Sequence, residues 1–344
     1  MRIAMVTDGA ATGRDTDDLV TALDSLGHDV VVHQASHGRR RGEHSVAAFT
    51  RQWSVDPPAV VHNRSRIAGV ATAQAARTAT IPVVHSVCMT DGAPAGTVER
   101  DIALRADRVI VSCGAEQAEL MAGGVPRDTI SVVPYGVDVA HFTPEGERQS
   151  TMRQYRVVAV GDLTAGAGFA TAVAALAGLP DTELVIAGGP PHGSHAKELR
   201  DYARKLGVSH RLRIPGPATR ATLPALLRSA DVVLCTPWRP QFGITALEAA
   251  ACGVPVVANN TGGLTDIVID RVTGLLVSPR RPRDLAAAAW KLLSQQVLRG
   301  QMGAAARDRA CGRYSWHQIA VDTLEAYRRA GADHNTRSTV HQPM

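Results

Sequence analysis

The stretch from Ala230 to Ala258, ADVVLCTPWRPQFGITALEAAACGVPVVA, carries the pattern with the most chemical content in this 344-residue chain. It reads as strand, loop, helix, turn and strand. The helix opens near Gly243, runs through Glu248 to Cys252 and is broken by Gly253-Val254-Pro255. The first amides of a helix have no carbonyl four residues back. Those of Gly243, Ile244 and Thr245 could therefore hold a phosphate, aided by the helix dipole. Glu248 lies one to two turns in, among Ala and Leu, where a solvated surface carboxylate is less natural. Its oxygens could accept hydrogen bonds from a ribose diol.

Other chemistries find less support. His28, His33, His62 and His85 sit at strand ends or turns, and no Cys/His cluster has zinc spacing, so no metal site is expected. Asp8 and Asp162 end the first strand of each half, where a loop-capping role is the plain reading. Gly166-x-Gly168 lacks the third glycine of a dinucleotide fingerprint, and neither a phosphate-binding G-x-x-x-x-G-K-[ST] nor a G-x-S-x-G elbow occurs. The five cysteines are odd in number and form no C-x-x-C, which fits free thiols in a reducing, cytoplasmic compartment. The N-terminus reads as a strand rather than a leader, and no apolar run approaches a membrane span. Net charge is +5, and the dense basic run Arg39-Arg40-Arg41 lies in a polar stretch read as a solvated loop, without the aromatics of a nucleic-acid patch.

The elements that must position Glu248 follow from periodicity. Short apolar runs alternate with helical segments, six in the first half from Ile3–Val6 to Ile130–Val133 and six in the second from Val157–Val160 to Leu275–Val277. Runs without polar alternation need both sheet faces covered, and intervening helices imply parallel βαβ units. Leu19, Leu23 and Leu26 make one stripe of a helix that Asp15 or Thr16 could cap and Gly27 could end. The polar segment Pro144–Arg153 is the expected linker. The expected division is 1–148, 149–314, a helix over 315–330 that could cross back to the first half, and a loose tail over 331–344. Ligands of such sheets bind outside the carboxyl ends of the strands, here in a central cleft between two Rossmann-like halves.

The chain resembles family-four retaining glycosyltransferases of the GT-B fold. The likeness runs through Gly27-His28-Asp29-Val30, Ala59-Val60-Val61-His62, Ile81-Pro82-Val83-Val84-His85, Pro134-Tyr135-Gly136-Val137-Asp138 and Phe142-Thr143-Pro144. It continues through Glu183–Pro190, Leu227-Arg228-Ser229-Ala230-Asp231, Gly262-Gly263-Leu264 and Thr273–Val277. The resemblance implies transfer of a sugar from a nucleoside-diphosphate co-substrate, with retention and without an obligatory metal or other cofactor. It places the base near Gly188, Gly189, Pro215 and Gly216, the phosphates at Phe242-Gly243-Ile244-Thr245 and Asp162, and the ribose on Glu248. The acceptor side falls on Gly9, Gly13, Arg14, His62 and Arg64, and the catalytic position on Cys88, with His85 three residues upstream.

Five family positions depart. The first of two glutamates falls on Pro240, the diphosphate-gripping Arg and Lys on Asp162 and Ala167, the catalytic His on Cys88 and a glycine pair on Ala10-Ala11. Two lost cation–phosphate contacts at about 1.5–3 kcal/mol each would weaken an ordinary donor by roughly two to four decades. Either Arg14, Arg64, Arg66, His192, His195 or Arg239 replaces them, or the donor binds in another pose. An active transferase with an altered site, a GT-B protein using an unusual donor in specialised bacterial metabolism, and a non-catalytic partner or binding module all follow from this pattern. Donor base, sugar, acceptor and oligomeric state are not encoded in any motif.

Overall fold

Each of the twelve apolar runs is a strand in the computed structural model, which describes residues 1–8, 14–35, 39–66, 68–87 and 97–340. One unit comprises Met1–Gly136 with the segment from Trp316 onward, the other Val137–Ser315. In the first, the chain runs β1 (Arg2–Asp8), α1 (Arg14–Ser25), β2 (Asp29–Ala35), α2 (Arg39–Val55), β3 (Val60–Asn63), α3 (Gly69–Thr78), β4 (Val83–Ser86), α4 (Thr97–Ala103), β5 (Arg108–Val111), α5 (Gly114–Ala122) and β6 (Ile130–Val132). The second runs β7 (Tyr155–Val160), α6 (Phe169–Leu176), β8 (Thr182–Ala187), α7 (Ser194–Lys205), β9 (Leu212–Gly216), α8 (Leu223–Arg228), β10 (Val232–Cys235), α9 (Ile244–Ala251), β11 (Val256–Asn259), α10 (Leu264–Ile267), β12 (Gly274–Val277), α11 (Pro282–Ser294) and α12 (Gln296–Tyr314). Helix α13 (Trp316–Val340) returns to the first unit.

Both sheets have six parallel strands, ordered β2-β1-β3-β4-β5-β6 and β12-β11-β10-β7-β8-β9. Successive side chains of a strand point to opposite faces. Val157, Ala159, Leu184 and Ile186 therefore join the core under α6, α7 and α11, while Val158, Val185, Val233 and Val256 join that under α8, α9 and α12. With helices on both faces, no polar residue is needed between them, which is why these strands read as unbroken apolar runs. In the first unit Ile3 and Met5 pack with Leu19 and Leu23 of α1 and with Ile319, Ala320 and Leu324 of α13. Gly27 ends the turn after α1 at φ +80°, with His28 N–H on the Leu23 carbonyl at 3.2 Å.

Three expectations change. Arg39–Arg41 begins α2 rather than lying in a loop, since arginine is a good helix former and the run contains no proline. Pro144–Arg153 precedes β7 inside the second unit and is tied to it. Arg228 Nε donates to the Glu147 carbonyl at 2.8 Å and Met152 N–H to Glu183 Oε1 at 3.1 Å. The units divide instead at Gly136 and Ser315, where Val137 N–H donates to the Tyr314 carbonyl at 2.8 Å. The segment after Gly331 stays helical to Val340. Asp333 pairs with Arg108 at 2.6 Å and His334 with Asp107 at 3.3 Å, polar contacts that leave no apolar stripe to read.

Candidate functional site

Helix α9 begins where the sequence places it. Gly243 caps it at φ +98°, in the left-handed region, and a β-carbon there would meet Leu264 Cδ2 at 2.5 Å. Ala246 and Leu247 amides both reach the Gly243 carbonyl, at 2.9 and 3.3 Å. Among the described residues, the amides of Gly243, Ile244 and Thr245 donate to no acceptor. Ile244 is 46% exposed, so solvent reaches this first turn. At the other end Arg307 Nη1 donates to the Ala251 carbonyl at 2.7 Å, a cation on the negative pole of the helix. Glu248 is 7% exposed, between Leu247 and Ala249 of the core. Burial pushes the thiols of Cys235, at the end of β10, and Cys252 up to about 12, and the Glu248 carboxylate adds to the rise at each. Neither thiol is a nucleophile at neutral pH.

The loops after β7, β10 and β11 form one hydrogen-bonded rim at the carboxyl edge of the second sheet. Trp238 N–H donates to the Gly166 carbonyl at 2.9 Å and Thr236 Oγ1 to the Ala167 carbonyl at 3.2 Å. Asn259 Nδ2 donates to the Pro237 carbonyl at 2.8 Å, and Gly263 N–H to the Gln241 carbonyl at 3.0 Å. Gly168, at φ +71°, could carry no side chain, since a β-carbon would lie 1.8 Å from the Thr236 oxygen. The Gly166-x-Gly168 pair thus serves close backbone approach. The rim lacks the carboxylate and cations of the family pattern. Pro240 and Asp162 are exposed and Ala167 is half-buried. Arg239 is exposed and makes no hydrogen bond or ion pair among the described residues. His192 is exposed, and His195 is paired with Glu198 at 3.2 Å on α7.

The glycines expected near the base join strand ends. Gly188 N–H donates to the Gly216 carbonyl at 2.9 Å, and a β-carbon on Gly188 would lie 1.6 Å from the Gly161 oxygen. Gly189 and Gly216 have φ of +51° and +105°, and Pro215 beside them is exposed.

In the first unit Gly9, Ala10, Ala11, Gly13 and Cys88 lie outside the described residues, and Arg14 opens α1. His62 and His85, expected to face ligand, are each 1% exposed. His62 Nδ1 lies 2.7 Å from Tyr327 OH and Nε2 2.7 Å from Ser86 Oγ. His85 Nδ1 lies 2.8 Å from Asn63 Nδ2 and 3.2 Å from the Asn63 carbonyl, and Nε2 lies 3.0 Å from Glu99 Oε2. With both ring nitrogens in hydrogen bonds, each histidine holds its neighbours in place. The pairing was hidden because Tyr327 and Glu99 lie far off in sequence. Arg64 is paired with Asp15, and Asp8 accepts from the Arg66 amide at 3.2 Å and from Ser65.

Burial, with Arg64 and His85 adding, holds the His62 pKa well below the ordinary histidine value, so the ring is neutral in the fold. The unfolded chain binds the extra proton, so this contribution is complete above the unfolded value near 6.5 and lost as pH falls below it. Each such proton steepens the loss by at most about 1.4 kcal/mol per pH unit. Urea midpoints measured from pH 7.5 to 5.5 are expected to fall for the parent and to fall less for His62→Gln. Equal slopes would refute the assignment.

Two parallel six-stranded sheets, each wrapped by helices, make the two-domain GT-B architecture, with a helix mouth and a buried glutamate on its second sheet. The model for glycosyl transferases group 1 matches residues 145–309, and a glycosyl transferase 4-like domain matches residues 34–136. A D-inositol 3-phosphate glycosyltransferase of Kineococcus radiotolerans is 32% identical over 97% of this chain and 82% of its own length. One of Mycobacteroides abscessus is 36% identical over 70% of this chain, which spans just over half of that relative, 55%. Among solved structures, a Rickettsia africae glycosyltransferase superposes with a TM-score of 0.85 at 17% identity, covering 96% of this chain and 98% of the other. Anabaena Alr3699/HepE in complex with UDP superposes with a TM-score of 0.80 at 20% identity, covering 95% and 100%. The chain belongs to the group 1 glycosyltransferase family and is a transferase of that kind.

Proposed function

We propose that this protein transfers a hexosyl group, with retention, from a uridine-type nucleoside-diphosphate sugar to a hydroxyl of a small polyol or glycan in the cytoplasm. One observation carries the reading: three amides at the mouth of α9 that donate to no acceptor among the described residues, with a buried carboxylate four residues along from Ile244. As the sugar–oxygen bond breaks, charge grows on the departing diphosphate, and amides fixed in place stabilise it without reorganising. Glu248 takes the ribose hydroxyls, and the base lies by Gly188–Gly189 and Pro215–Gly216. With Asp162 and Ala167 supplying no cation, Arg239, which has no partner among the described residues, is the cation nearest in sequence to the helix mouth. By the family resemblance, the acceptor side falls to Gly9, Gly13 and Arg14. Similarity to D-inositol 3-phosphate glycosyltransferases makes a phosphorylated inositol the first acceptor to test.

The test is nucleoside diphosphate release from UDP-, GDP-, ADP- and dTDP-sugars, with and without inositol phosphates. Acceptor-dependent release from a UDP-sugar is expected. Absence of both release and thermal shift with every nucleotide would favour a non-catalytic module instead. Arg239→Ala is expected to weaken UDP about tenfold, the loss of one charge-assisted contact, and to leave uridine binding unchanged in calorimetry.

A further inference from the structure

A pocket of about 280 Å³ opens on the α6–α7 side of the second unit, and nothing in the proposed transfer uses it. Phe169, Tyr202 and Trp238 supply three aromatic walls and Leu163 and Leu199 two aliphatic ones. Polar groups on its lining include Thr164, the Tyr202 hydroxyl and the His195–Glu198 pair. Trp238 is held before any ligand arrives. Its backbone N–H meets the Gly166 carbonyl, its indole N–H meets Thr171 Oγ1 at 3.3 Å, and Arg280 lies 4.7 Å from its ring centroid. A wall fixed in this way costs little to order on binding.

We infer that this pocket binds a free aromatic small molecule of one or two fused rings bearing a single N–H or O–H, of the indole or phenol type. The volume lies at the lower end of ligand pockets, too small for a nucleotide sugar. The aromatic and leucine walls match an apolar ring body. The Glu198 carboxylate and the Thr164 and Tyr202 hydroxyls give the lining acceptor oxygens. One donor on the ring, directed at Glu198, Thr164 or Tyr202, meets such an oxygen.

Ligand-observed NMR with indole tests this on the full chain and needs no nucleotide. Saturable binding with a Kd on the order of 1 mM is expected. Ala170→Leu, which keeps a good helix former in α6 and fills the pocket, should weaken binding at least tenfold with the fold intact by circular dichroism. 1-Methylindole, without the donor, should bind more weakly than indole to the unaltered protein. No saturable binding of indole or phenol, or equal binding to Ala170→Leu, would overturn the inference. Tighter binding of N-acetyltryptophanamide than of indole would overturn it too, in favour of a side chain from a partner protein.

Discussion

Glu248→Gln is expected to lower kcat/KM for a UDP-sugar by about tenfold to a few hundredfold while leaving the protein folded. The carboxylate is 7% exposed at the second turn of α9, where a hydrogen bond to a charged acceptor is worth about 1.5–3 kcal/mol and one to a neutral amide about half that. A diol makes two such bonds, so one to two and a half decades are at stake. Glutamine keeps the volume and one acceptor, which separates lost charge from a cavity. An internal readout accompanies the kinetics. Because Glu248 helps raise the Cys235 and Cys252 thiols, both should become easier to deprotonate in the variant, seen as faster alkylation at high pH. Unchanged kcat/KM would remove Glu248 from the donor site and with it the reading of the helix mouth.

Gly188→Ala should produce the largest loss of stability. The new methyl would lie 1.6 Å from the Gly161 oxygen, backbone against backbone at the ends of β7 and β8, where neither side can rotate away. Overpacking a core typically costs 1–3 kcal/mol, and here about 3 kcal/mol or more is expected. For a unit of this size that corresponds to a fall in Tm of roughly 6–12 °C. If Gly188 mattered only by lining the base, UDP affinity would drop with Tm unchanged, and the packing account would be wrong. Gly207→Ala is the control. Its φ is +71° with nothing within 4 Å of a β-carbon, so only backbone strain of about 1 kcal/mol should appear.

Features legible in the residues part from those that were not along the range of the interactions. Strand positions, the opening of α9 at Gly243 and the turn at Gly27 depend on neighbours a few residues away, so apolar periodicity and glycine placement disclosed them. Gly166-x-Gly168 was visible as a pattern, but its purpose was not, because the obstructing Thr236 carbonyl comes from another strand end. The same holds for the polar helix beyond Gly331, held by Arg108 and Asp107 of β5 and its approach.

The sequence alone determined two parallel α/β halves and a glutamate-bearing helix after the tenth strand, because both are written in local spacing. Only the tertiary structure decided that His62 and His85 are buried with both ring nitrogens in hydrogen bonds, that Gly188 packs against the Gly161 carbonyl, and that Arg239 has no partner among the described residues. Burial and hydrogen-bond partnership depend on residues distant in the chain, and no periodicity within a segment reports them.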